Sequence, residues 1–157
     1  MRLRLAESAD SPFLIEVARL ACTLEDRPLP APDAPDVIAL LPEPNAAVIA
    51  VDEDGRPVGA AWWHVRERPL LRGANGEALP ELAMAVVERE RAKGIGAALV
   101  EAVADEASKR FSALTLNVHI RNPATHLYTC TGFTVAGAGR GRFGVAMSRP
   151  LQPDGAC

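Results

Sequence analysis

Residues 89–107 read RERAKGIGAALVEAVADEA. Two glycines, Gly94 and Gly96, stand two apart, with Arg89, Arg91 and Lys93 before them and an apolar, helix-prone run behind. The first turn of a helix leaves backbone N–H groups without partners, and the helix dipole adds positive potential there. Glycine carries no Cβ, so a bulky anion can approach the backbone. The stretch is therefore a competent seat for a phosphate or pyrophosphate, and equally a plain strand-to-helix turn; glycine spacing alone leaves both open. Two other phosphate motifs do not fit. A dinucleotide fingerprint wants a third small residue where Ala98 and Leu99 match poorly, and a P-loop wants Gly-Lys-Ser/Thr, which is missing.

Working outward, strand and helix patterns alternate. Residues 2–6 alternate polar and apolar, as a strand does. Ser8, Asp10 and Ser11 offer helix caps, with Pro12 in the first turn of the run FLIEVARLA. Residues 27–44 carry six prolines, which rules out one long helix and leaves room for a short one at 36–41. Strands follow at 46–51 and 58–65 around the Asp-Gly turn of DEDGRP. After a loop at 66–80, the strand ELAMAVV leads into the glycine turn and a helix that runs to Arg110. The strand ALTLNVHI, a short helix from Asn122, and a hairpin of FTVAG and FGVAMSRP complete the chain. The order β-α-α-β-β-β-α-β-α-β-β predicts an α/β (α+β) sandwich: a mixed, mostly antiparallel sheet of about six to seven strands with about four helices. The βαβ unit at 81–120 must set two parallel strands side by side.

The bulk numbers bound the partners. The 157 residues suit a single domain over 1–157, and 48% hydrophobic with 24% charged residues reads as globular. A net charge of −3 argues against nucleic acid or an anionic membrane as the main partner. The N-terminus lacks the uninterrupted apolar segment of a secretory signal, and no window approaches the ~18 apolar residues of a membrane span, so the expected location is cytoplasmic. Cys22, Cys130 and Cys157 are not spaced as metal ligands, and His64, His119 and His126 stand apart, so no metal site is expected. Cys130 reads as a packing cysteine, with a nucleophilic role as the sharper alternative. Arg140, Arg142 and Arg149 read as a solvated loop cluster in the last hairpin.

A second motif decides the glycine question. VVERERAKGIGAAL resembles the acetyl-CoA signature of the GNAT N-acetyltransferase superfamily, Arg/Gln-x-x-Gly-x-Gly/Ala, with Arg91, Gly94 and Gly96 at its fixed positions. LNVHIRNPATHLYTCTGF, one helix and one strand later, resembles the superfamily's N-P-A-x-x-L-Y-x-x-x-G-F segment through Asn122, Pro123, Ala124, Leu127, Tyr128, Gly132 and Phe133. Glu88 stands where many members have proline and Ala92 where glycine is frequent; neither removes a needed amide. The specific residues span 81–133.

The resemblance implies an acetyl-CoA-dependent N-acetyltransferase acting on an amine of a small molecule or peptide. Arg91, Ala92, Lys93, Gly94, Ile95, Gly96 and Ala97 would hold the pyrophosphate of coenzyme A. The backbone of Met84, Ala85 and Val86 would pair with the pantetheine arm like an added strand. An amide near Met84 or Val86 would stabilise the thioester oxyanion. Asn122 would contact the acyl donor. Tyr128, the only tyrosine, would protonate the leaving thiolate. Some members use a glutamate at the start of the strand before the glycine turn, which makes Glu81 a candidate base; a solvated strand-end carboxylate is the other reading. Members with a base in the next strand carry it at the position of Asn117, which cannot serve; His119, on the same face by period two, or a water chain could. Trp62, Trp63, His64 and the loop 66–80 should line the acceptor pocket, with only one tryptophan on that face. A non-catalytic acyl-CoA-binding module and a pure interaction domain are the alternatives. Monomer and homodimer both remain open.

Overall fold

The two middle strands of the sequence are apolar along their whole length, so they must be covered on both faces. In the computed structural model they are. Its described residues are 1–22, 28–42, 46–91 and 93–152. β1 (Arg2–Leu5), β2 (Ala47–Val51), β3 (Pro57–His64), β4 (Glu81–Val86), β5 (Ala113–His119), β6 (Thr134–Ala138) and β7 (Gly144–Pro150) form one sheet in the order β1-β2-β3-β4-β5-β7-β6. α1 (Ser11–Ala21) and α3 (Ile95–Ala107) pack on it, α2 (Pro35–Leu40) packs against α1, and α4 (Ala124–Cys130) follows β5. Element order and the mixed, mostly antiparallel sheet agree with the sequence expectation.

Each helix is held by something legible. Pro12 sits in the first turn of α1, and Asp10 ahead of it accepts a fork from Arg4 at 2.8 and 2.9 Å, tying β1 to the helix start. Burial of α3 follows its apolar stripe: Ile95, Leu99, Val100, Val103, Ala104 and Ala107 all face the sheet. The short α2 is anchored by Trp62, whose indole N–H donates to the Leu40 carbonyl at 2.6 Å. Trp62 is fully buried there, on the α1/α2 face of β3. Trp63 points the other way, its ring edge-on to Phe111 at 5.1 Å and covered by the Arg110 guanidinium. Neither tryptophan lines a cleft, so the expected acceptor role of Trp62 gives way to a core role: its large apolar ring gains more from burial under α2 than a solvent-facing wall would give.

The sheet has one weak seam. β4 pairs with β3 over six residues, and β5 pairs with β7 over seven. Between β4 and β5, the parallel pair, one register position remains: Glu81 opposite Thr115. The Thr115 N–H and Oγ1–H both donate to the Pro80 carbonyl, at 2.9 and 2.8 Å. Beyond that point the strands part. Thr115 is fully buried, so its hydroxyl has no water to exchange with. Thr115→Val keeps shape and the backbone bond while deleting the second. It should cost about 1 kcal/mol in urea unfolding with an unchanged m-value; an unaltered midpoint would show that the hydroxyl does not help pin the seam.

Candidate active site

Because β5 leaves β4, one edge of β4 is left open. Period two decides which groups face it. The Val87 N–H donates to Val58 on β3, so residues 83, 85 and 87 turn their polar backbone groups toward β3. The Pro80 carbonyl points to β5, so residues 82, 84 and 86 turn theirs to the open side. Met84 and Val86 therefore present backbone N–H groups to the cleft, while Ala85 is taken up by its partner Ala60. The Val86 carbonyl accepts from the Arg91 Nε–H at 3.1 Å, which folds the turn back along the strand end.

The glycine turn sits at the far end of this edge. Gly94 is the N-cap of α3 at φ 80°, ψ 2°, a left-handed conformation that favours glycine, and no side chain caps the helix. A Cβ built on Gly94 would meet only open space. The first intrahelical bond is Ala98 N–H to the Gly94 carbonyl, so the amides of Ile95, Gly96 and Ala97 precede the ladder. Gly96 serves a different need from the one its spacing suggested. A Cβ there would lie 2.9 Å from Leu127 Cδ2 and 3.3 Å from Met84 Cε, so this glycine makes room for those side chains between α3, α4 and β4. Lys93 pairs with Glu90 at 2.9 Å. Ala92 lies outside the described residues.

A cavity of ≈ 920 Å³ fills the split, lined among others by Met84, Val86, Gly94, Asn122, Leu127 and Tyr128. That is ample for a large ligand. Its far wall is α4. Asn122 Oδ1 accepts the Ala124 N–H at 2.9 Å, which sets the helix entry. Tyr128 packs edge-on against Phe133 at 5.9 Å, and burial pushes its phenol up to about 12. The phenol therefore keeps its proton throughout the physiological range. Cys130 also borders the cavity; it is exposed rather than packed, and its Sγ lies 3.5 Å from His126 Nε2. Leu20, Leu29 and Leu40 form an apolar wall of the cavity that no motif announces.

Glu81 is not a solvated strand-end carboxylate. It is 2% exposed and held by Arg140, whose Nη1 and Nη2 donate to its two oxygens, the latter at 2.7 Å. The Leu70 N–H adds a bond at 3.3 Å, and Arg66 Nε stands 3.8 Å away. Arg140 itself was expected to be solvated. It crosses instead to β4, and its second bond from Nη2 goes to the Arg68 carbonyl at 2.8 Å. The Arg140 N–H meets Asn117 Oδ1 at 2.7 Å, which gives Asn117 a positioning role. Arg149 bridges to Glu101 at 2.9 Å.

His64 and His119 were both expected at the acceptor pocket. His64 is buried beside Glu81 in the β3–β4 ladder, and it does not line the cavity. His119 caps the turn after β5, its Nδ1 accepting the Arg121 N–H at 3.0 Å while its ring leans on Phe143. Among the described residues, no three His, Cys, Asp or Glu side chains group as metal ligands, and no helix is long and apolar enough to cross a membrane.

Burial holds the His64 imidazole down to about 4, with Arg66 and Arg140 opposing the pull of Glu81. An unfolded histidine titrates near 6.5. The folded value is the lower one, so the contribution of His64 to stability is full above pH 6.5 and drains as the pH falls toward 4, by about 1.4 kcal/mol per pH unit. His64→Gln should flatten the stability-versus-pH curve in that window by this slope. Equal slopes in denaturant titrations of both proteins would remove His64 from the acid response.

The Acetyltransferase (GNAT) family matches residues 14–133. No curated protein matches the chain. Among solved structures, the GCN5-related N-acetyltransferase from Kribbella flavida is 27% identical at a TM-score of 0.71, covering 96% of this chain and 97% of that one. The phosphinothricin acetyltransferase from Sinorhizobium meliloti, in complex with AcCoA, is 23% identical at a TM-score of 0.71, covering 99% and 91%. An acetyltransferase from Salmonella typhimurium, with its cofactor acetyl-CoA, is 20% identical at a TM-score of 0.69, covering 100% and 97%. With a family match over most of its length and a split sheet beside a glycine-capped helix, the chain belongs to the GNAT acetyltransferase family.

Proposed function

We propose that the protein transfers an acetyl group from acetyl-CoA to an amine of a small molecule or peptide, by direct attack on the thioester. The observation that carries this is the meeting, in one cavity, of an unpaired strand edge, an uncapped helix N-terminus and a protonated phenol. Two proteins of this fold, from Sinorhizobium meliloti and Salmonella typhimurium, hold acetyl-CoA.

The chemistry needs three things. The pyrophosphate needs N–H donors and positive potential, for which the amides of Ile95, Gly96 and Ala97 at the start of α3 are suited. The pantetheine amides need strand-like partners, for which Met84 and Val86 are suited; the same N–H groups can receive the oxyanion as the amine adds to the carbonyl carbon. As the C–S bond breaks, the thiolate takes the phenolic proton of Tyr128. The attacking ammonium must first lose a proton. Both Glu81 oxygens are engaged by Arg140, and neither Glu81 nor His119 lines the cavity, so we assign that proton to solvent.

kcat/KM should rise with pH through the amine's own titration and show no falling limb below ~11, because the Tyr128 phenol stays protonated until about 12. Tyr128→Phe should lower turnover by about one to three decades with acetyl-CoA affinity unchanged, read by thiol release and calorimetry; unchanged turnover would remove Tyr128 from the mechanism. Gly94→Asp should abolish acetyl-CoA binding by setting a carboxylate against the pyrophosphate, whereas Gly94→Asn, similar in size and tolerant of the left-handed backbone, should lose far less. Equal affinities in the two variants would mean that the pyrophosphate sits elsewhere. Acetyl-CoA binding without thiol release across an amine panel would reduce the protein to an acyl-CoA-binding module.

A further inference from the structure

The cavity is walled differently on the two faces of the sheet. Ladder partners that sit directly opposite point to the same face. Trp62, on the α1/α2 face, is opposite Ala83, and Ala60 is opposite Ala85. Ala83 and Ala85 therefore turn their methyl groups toward α1, which packs against β4. Met84 turns the other way, and its Cε reaches the space beside Gly96 at the start of α3. On β5, Thr115 is opposite Glu81, so Asn117 shares the α1/α2 face. The carboxylates and the guanidinium that line the cavity among the described residues are Glu88, Glu90 and Arg91, all in the turn that leads into α3.

On the α1/α2 face the walls are Leu20, Ala21, Leu29 and Leu40, over a floor of Ala83 and Ala85. α1 buries Leu14, Val17 and Ala18. Leu20 and Ala21 follow Val17 by three and four residues, so they carry the same stripe past the core and into the cavity wall. Leu29 is 41% exposed, and Leu20 and Leu40 are half-buried, which leaves apolar surface that the fold itself does not cover. Glu81, on this face of β4, is held by Arg140 and does not line the cavity. The polar atom nearest in sequence pattern, Asn117 Oδ1, already accepts the Arg140 N–H. Among the described residues this chamber therefore offers no charged side chain. A charged group entering it would lose hydration with no opposite charge in return, whereas a hydrocarbon group gains by leaving water.

We infer that the acceptor is a primary amine on an uncharged hydrocarbon body, alkyl or arylalkyl, whose apolar part lies against Leu20, Leu29 and Leu40; this rests on the acetyl-transfer reading of the site. The pyrophosphate of the donor belongs at the glycine turn on the Met84 face, so the chamber across the sheet is the space left to the acceptor. The hydrocarbon takes no part in the bonds made and broken. It holds the amine in place, and a second charge on the acceptor, anionic or cationic, has no partner there.

The test uses straight-chain primary amines from propyl to hexyl, which titrate alike, so the neutral fraction is constant along the series. Thiol release with acetyl-CoA at one pH should give a kcat/KM that rises about three- to fourfold per added methylene until the chamber is full, the scale of one CH₂ removed from water. Hexylamine should exceed the ω-amino acid and the α,ω-diamine of the same length by about tenfold or more. Leu29→Gln, at an exposed position, should flatten the slope with acetyl-CoA affinity and melting temperature retained, and Leu29→Met should keep the slope. A flat series in wild type, a preference for either charged analogue, or an unchanged slope in both Leu29→Gln and Leu20→Gln overturns the inference. Butyryl-CoA and hexanoyl-CoA, assayed with a short amine, separate acceptor from acyl chain: rates that climb with acyl length and not with amine length give the chamber to the donor and overturn it as well. Calorimetric titration of N-hexylacetamide, the uncharged product, reads the chamber apart from turnover. Tighter binding of N-hexylacetamide than of N-ethylacetamide, with no thiol release from any amine, would overturn acetyl transfer and keep the apolar chamber. Thiol release that ignores chain length would keep acetyl transfer and overturn the chamber.

Discussion

The whole arrangement depends on a parallel strand pair that is joined at one position. β4 and β5 meet at Glu81 and Thr115, and each is otherwise committed to its outer neighbour along its full length. A strand with one complete ladder keeps its shape without the second, but its free edge leaves N–H and C=O groups that need partners. Met84 and Val86 are those groups here. An extended ligand with alternating amides is the natural complement of such an edge. Pro80 and Thr115 limit the opening to one end: two donors from a single residue converge on one carbonyl.

Charge is divided between the two ends of β4. At the open end, the uncapped start of α3 offers backbone N–H groups and no fixed anion at Gly94. At the pinned end, two arginines surround one buried carboxylate, and the middle is apolar. Arg140 is the device that makes the second end. It arrives from the β6–β7 loop, 59 residues from Glu81, and without it the buried carboxylate would keep only Arg66 at 3.8 Å and the Leu70 N–H at 3.3 Å.

Much of this was legible in the sequence. Strand and helix order followed from apolar periodicity, turn residues and prolines, and each element appeared in the expected place. The glycine turn with its cationic approach and the Asn122-to-Phe133 segment located the two walls of the cavity, because both rest on local backbone geometry that the residues themselves dictate. The strand edge was also legible, though period two assigns the open groups to Met84 and Val86 and returns Ala85 to β3. What the sequence did not place was the set of side chains that meet partners across the sheet, although the two tryptophans do face opposite sides of β3. Trp62 went to the core, His119 to a turn, and Glu81 under an arginine that composition alone assigned to solvent.

The division has a physical cause. Local sequence determined the elements, their order, the helix that starts at Gly94 and the family to which the chain belongs, since dihedral preferences, capping and hydrophobic period act over a few residues. Only the tertiary structure decided that Gly96 is a packing glycine, that Asn117 positions Arg140, and that His64 Nδ1 and Arg66 Nε have no hydrogen-bond partner among the described residues. Those outcomes turn on contacts between segments tens of residues apart. Whether a charge is paired or exposed there depends on which loop the fold brings over it, and no periodicity in the chain encodes that.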